Sequence, residues 1–421
     1  MQKTYLPYDQ DQLLLLPPSV REWVEPGDLA HLIDDVVECL DLSAIEAVYE
    51  AELRGAPPYH PVMMTKLWLY AYAVGVTSSR RLAKLVQRDV GVMMLAAGNR
   101  PDFRTLATFR QRHLKDLAGL FKQVLKLCRR QGLLEMKHVA IDGTKLRANA
   151  SKHTAMSYGR MKDEDARISR EIEAWFRKAE QVDAAEDREY GEEAGEELPP
   201  ELQNAARRRQ AIKEAMAELE KEAREQGKAE PMAKAQRNFT DPESRIMRSG
   251  EGAFIQGYNG QAAVDAKHQI IVAADLNNQA ADSVQLIPMV DLVRRNLGCN
   301  PKQISADAGY CSEANLKSLE KRRLDPYIAT GKRSRDRNLP PAPRGRIPAH
   351  LTIRQRMERK LLTKAGRAAY RLRQQVVEPV FGQIKNKGLV RLRLRGEENC
   401  RAEWILHCTG HNLCKLQAAW G

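Results

Sequence analysis

Three acids stand where chemistry on a phosphate would need them. Asp142 follows the apolar stretch "HVAI", Asp307 follows "QISA", and Glu378 is the only acid in "YRLRQQVVEPVFGQIKNK", residues 370–387. Carboxylate oxygens suit Mg²⁺ or Mn²⁺, hard ions that keep positions open for phosphate oxygens and water. Two such ions, about 3.5–4 Å apart, activate a nucleophile and stabilise the leaving oxygen of an in-line displacement. Each acid also has an ordinary reading: Asp142 as cap of the "DGT" turn, Asp307 as a loop residue, Glu378 as a surface ion-pair partner. Together, at the ends of buried strands and beside a cationic segment, they read as a site for two divalent ions.

The charge distribution supports an anionic substrate. The 421 residues carry a net charge of +13, and between Lys332 and Arg395 there are 19 Lys or Arg against 3 Asp or Glu. Outside that stretch the chain is slightly acidic. The stretch holds patterned apolar residues (Leu361, Leu362, Val377, Phe381, Ile384), so part of it folds, and folded basic surface meets phosphate. The longest apolar run, Leu67 to Val76, is too short to span a bilayer, and no charged-then-apolar leader is seen. Seven cysteines with no CxxC pair argue against a disulfide framework. These features predict a cytoplasmic, nucleoid-associated protein with DNA as partner.

The elements that must position the acids follow from the patterning. "HVAI" reads as a short strand ended by Asp142. "GYNGQAAVDAKHQIIVAADL" reads as a hairpin, "DSVQLIPMVDLVRRNLG" as a capped amphipathic helix, "KQISADAGY" as a strand ending in Asp307, and "DPYIATG" as a fifth strand. Helices carry Glu378 and the C-terminus. This order suits an α/β catalytic domain of RNase H-like fold, a mixed five-stranded sheet flanked by helices. There the first and fourth strands lie side by side and a late helix crosses that edge. The predicted catalytic domain comprises residues 133–154 and 236–421. Residues 155–235, rich in Glu, Ala, Arg and Lys, read as a helical hairpin or coiled coil inserted within it.

Residues 1–132 read as an all-helical DNA-binding domain. Asp28 is expected to cap one helix, Gly55 to end a second, and Pro61 and Gly75 to bound a third. Short helices that start on arginines (Arg80, Arg81, then Arg104 and Arg110) suggest a helix-turn-helix reader of DNA. A Pro- and Arg-rich connector spans 333–350.

The pieces "AIDGTKLRANAS", "GYNGQAAVD", "ISADAGYCSEANL" and "VEPVFGQIKN", in that order behind a helical N-terminal domain, resemble bacterial insertion-sequence transposases of the DDE type. The nearest resemblance is to the group named for insertion sequence 1182. It covers nearly the whole chain and implies metal-dependent DNA cleavage and strand transfer at the ends of a mobile element. It further implies Asp142, Asp307 and Glu378 as the catalytic acids and metal ligands, and a homodimer or higher oligomer on DNA. Such transposases often place Tyr, Arg and Lys seven before, four before and seven after the Glu. Here Lys385 fits, but Tyr370 and Arg373 stand eight and five before Glu378. A one-residue π-bulge near Pro379 is the expectation that restores them; in a regular helix Arg371 and Gln374 take those places. Tyr370, Arg371, Arg373, Lys385 and Lys387 are the expected DNA contacts of this helix.

Three rivals stay open at this level. One is a transposase-derived DNA-binding protein without activity, separable by metal titration of DNA cleavage. Another is an RNase H-like nuclease that gives no strand-transfer product. The third is a zinc site in "CRAEWILHCTGHNLCKL"; its five soft ligands cannot all face one ion from one helix, which favours ordinary packing.

Overall fold

The structure, a computed structural model, describes residues 19–50, 57–151, 154–186, 200–225, 227–250, 252–331 and 340–420. The expected stop at Gly55 and the first part of the basic connector (333–339) lie outside them. By contacts the chain parts into two units, Met1–Leu134 with Leu406–Gly421, and Glu135–Ile405.

In the first unit every described regular element is helical. Asp28 caps the Leu29–Glu38 helix through Ala30 N–H, and Asp102 caps Phe103–Arg112 through Arg104 and Thr105 N–H. Such caps are worth about 1 kcal/mol each, because helix ends otherwise leave amides unpaired. Pro61 opens the Pro61–Ala73 helix, whose Trp68 is fully buried and donates from Nε1 to Leu106 O at 3.1 Å. The last turns of the Glu397–Trp420 helix belong with this unit. Gly410 permits it, since a Cβ there would lie 2.7 Å from the Tyr72 carbonyl.

The second unit contains all eight described strands: β1 (His138–Arg147), β2 (Ala155–Ser157), β3 (Gln236–Asn238), β4 (Arg245–Arg248), β5 (Phe254–Asp265), β6 (Ile271–Asn277), β7 (Gln303–Ala306) and β8 (Asp325–Ile328). The main sheet is mixed: β5 pairs antiparallel with β1, β4 and β6, while β1–β7 and β7–β8 are parallel. The first core strand thus lies beside the fourth, as expected. Two expectations are corrected. The sheet has six strands rather than five, because β5 is long enough to pair with both β4 and β6 along one edge. And β1 does not end at Asp142 but runs on to Arg147, because β5 remains its partner to the end.

The insertion forms two packed helices, Tyr158–Glu186 and Pro200–Glu225, rooted on the β2–β3 ribbon. They run antiparallel, with Tyr158 donating to Glu220 and Arg208 pairing with Glu164. Met161, Ile168, Ile212 and Leu219 form their apolar seam.

Candidate active site

Strand register brings two of the acids together. The parallel ladder of β1 and β7 ends on Ile141 opposite Ala306, so Asp142 and Asp307 are the next residue on each strand. Neighbouring strands lie about 4.8 Å apart, which makes the two positions adjacent. Asp307 then caps a 3₁₀ turn, accepting from Gly309 N–H at 2.8 Å. Asp142 accepts from Gly143 N–H at 2.8 Å.

Glu378 comes from the Lys364–Asn386 helix, and one arginine ties it to the strand. Arg373 donates from Nη1 to Asp142 Oδ2 at 2.6 Å and from Nη2 to Glu378 Oε1 at 3.2 Å. Its guanidinium also lies 5.8 Å from the Tyr370 ring centre. So Arg373 faces the acids, and the exposed Arg371 does not pair with them. The expected π-bulge is absent: the helix is α-helical from Lys364 to Asn386 with Pro379 inside it. Positions five apart differ by about 140° around a regular helix. The length of the Arg side chain, not a backbone insertion, spans that angle.

Burial dominates the electrostatics. It pushes the Asp142 carboxyl up to about 7; Arg373 opposes the rise, and Asp307 and Asp282 add to it. Burial also holds the Tyr310 phenol well above its ordinary value, with Asp142, Asp282 and Asp307 contributing. Its hydroxyl donates to Gln261 Oε1.

Asp282 is the residue that sequence reasoning missed. It was expected in a helix cap, but the helix begins at Leu286 behind Gln285, which makes no side-chain cap bond. Instead Asp282 Oδ1 accepts from Lys145 Nζ at 3.0 Å, Asn259 Nδ2 at 2.7 Å and Gln261 Nε2 at 3.1 Å. Oδ2 is left on the side of Gly309, where a Cβ would lie 3.6 Å from it and 3.0 Å from Asp307 Oδ1. Gly143 makes room for this network, since a Cβ there would approach Gln261 Nε2 to 2.5 Å. An acid in the loop between the end of β6 and the next helix, "NNQAADS", was the available signal.

The donor chemistry fits a hard divalent ion, being oxygen-only carboxylates, one of them buried enough to need a counter-cation. Among the described residues no group of three or more His, Cys, Asp or Glu stands close enough to hold a metal. In this arrangement Arg373 supplies the positive charge between Asp142 and Glu378, whose side chain is 54% exposed.

The remaining expected contacts divide. Lys385 is exposed on the site helix, and Lys387 caps its C-terminal end. Arg80, Arg81 and Arg104 are exposed in the first unit, with Arg80 and Arg104 on the Phe103 ring at 5.1 and 5.7 Å. Arg110 is turned inward, donating to Thr77 O at 2.6 Å and lying 4.4 Å over Trp68. In the C-terminal helix, buried His407 meets the Tyr72 ring edge-on at 5.1 Å, and Cys414 Sγ donates to Ala73 O.

Residues 231–413 match the family model described as Transposase DDE domain, which covers Asp282, Asp307 and Glu378 and begins beyond Asp142. Residues 18–112 match Transposase domain (DUF772). No curated protein and no solved structure matches the chain.

Proposed function

We propose, from the premise that this chain carries two transposase domains, that it is a DDE transposase of an insertion sequence, akin to the group named for insertion sequence 1182. On this reading it binds the terminal repeats, cuts the DNA at the element ends and joins them to target DNA. Its sheet is then RNase H-like. Asp142, Asp307 and Glu378 hold two Mg²⁺ or Mn²⁺ ions, with Asp282 beside them. The ions supply nucleophile activation and charge neutralisation at the phosphate.

The chain's own groups do the rest. Arg373 leaves the carboxylates and takes a phosphate oxygen, for which its planar fork is suited. Tyr370, Arg371, Lys385 and Lys387 hold the backbone on either side. Arg80, Arg81 and Arg104 engage the repeat from the N-terminal domain. Phosphate contacts give affinity that falls steeply with salt, and base contacts select the ends. Cutting two ends together calls for a dimer or larger assembly on DNA, in the bacterial nucleoid. No helix among the described residues is long and apolar enough to cross a membrane.

The observation that carries the reading is the single guanidinium joining Asp142 to Glu378 beside the end of β7. The test is Asp142→Asn on DNA bearing the element ends. Mg²⁺-dependent nicking is lost while gel-shift affinity is kept; full nicking by the variant refutes the assignment.

A further inference from the structure

Two concavities in the second unit are lined by cations, with no acid among their described residues. One, of about 500 Å³, takes in Gly143, the residue after Asp142, and presents Arg147, Arg248, Lys385 and exposed Val390. The other, of about 450 Å³, shares Arg147 and Ile255 with the first and presents Arg391 and Phe254. Among the described residues no carboxylate pairs with Arg147, Arg248, Lys385 or Arg391. Arg391 is held in place by neutral oxygens, donating to Ala148 O at 3.1 Å and Asn149 Oδ1 at 2.6 Å. Phe254, the first residue of β5, is 66% exposed, which is unusual for a phenyl ring on a charged surface.

We infer that this joined groove binds an unpaired DNA strand leading to Asp142, with a base stacked on Phe254. The inference rests on the transposase reading for the identity of the strand and adds the state in which it is bound. Four cations with no carboxylate partner among the described residues attract a polyanion. A cleft of this size admits a ligand of one or two nucleotides, whereas a duplex presents grooves about 12 and 6 Å wide and cannot enter it. A phenyl ring offers nothing to a paired base, whose faces are already stacked. It offers a platform to a splayed one, and base–aromatic stacking tolerates any sequence. The groove therefore takes a melted end, and its lining includes Gly143, the residue next to Asp142 in β1.

The experiment uses the full chain in EDTA, where no cleavage occurs, and measures binding of a labelled oligothymidylate and of a blunt duplex of equal length. Phe254→Ala weakens the single strand about tenfold, the size of one lost base stack, and the duplex less than twofold. Arg147→Gln lowers the salt dependence of single-strand binding by about 0.7 in log–log slope, one phosphate contact. Equal effects of Phe254→Ala on both ligands, or no effect on either, overturn the groove, as does an unchanged slope for Arg147→Gln. Phe254 lies at the surface, so loss of folding does not confuse the result. The outcome is independent of the nicking assay. Nicking with binding indifferent to Phe254 removes the groove and leaves the transposase; Phe254-dependent binding without nicking does the reverse.

Discussion

Gln269 donates from Nε2 to the backbone carbonyl of Gln375 at 3.0 Å. That carbonyl is the one Pro379 leaves without its helical partner, since proline has no N–H to return to the residue four before it. The β5–β6 turn, where Gln269 sits at φ +60°, thereby repairs the helix that carries Glu378. Removing the repair, Gln269→Ala, should cost about 1 kcal/mol in urea unfolding. In a Pro379→Ala background, where the helix bonds itself, the same change should cost much less. Additive losses would show that the two residues act separately.

Arg373 is the counter-charge to a buried acid. Breaking a buried ion pair ordinarily costs about 3–5 kcal/mol. Arg373→Gln should cost only about 1–2 kcal/mol at pH 7, because Asp142, already raised to about 7, takes up a proton instead. Mn²⁺ should then raise the melting temperature of the variant more than that of the parent, since no guanidinium competes for Asp142. An equal or smaller rise would mean that Arg373 does not occupy the cation's place.

Asp282 gathers three donors from β1 and β5 on one oxygen. Asp282→Asn keeps an oxygen acceptor there and should change stability by about 1 kcal/mol or less. If its other oxygen supports the metal site, Mn²⁺ affinity measured by calorimetry should fall roughly 10–100-fold. Unaltered affinity would reduce Asp282 to a structural role.

His407 makes the first unit sensitive to acid. Burial, with a smaller push from Arg110, lowers its imidazole to about 3, and its buried Nε2 has no hydrogen-bond partner among the described residues. A group whose folded value lies below its unfolded one contributes stability fully above the unfolded value, about 6.5, and loses it as pH falls toward the folded one. Between pH 6.5 and 5 this amounts to about 2 kcal/mol. Denaturant titrations at those two pH values should show the loss in the parent and a flatter response in His407→Gln. The same slope in both would assign the acid sensitivity elsewhere.

Much of this protein could be read from local pattern. Alternation and apolar runs located the core strands, and boundary residues such as Asp28 and Pro61 located helix starts, because both reflect each segment's own need to bury one face and satisfy its amides. The adjacency expected of Asp142 and Asp307 rested on strand order and is matched by the register. Strand β4 was not legible, since its short pairing depends on how far β5 extends. Nor was the course of β1 past Asp142: Gly143 looks like a turn until the Gln261 and Asn259 side chains are seen pressed against it.

The choice between Arg371 and Arg373 could not be made from spacing, because it turns on the separation between a helix and a strand from another part of the chain. Asp282 was hidden for the same reason. A sequence determines which side chains are long, charged or buried, but a carboxylate acquires its role from groups that reach it across space, and only the packed sheet and helix set those distances.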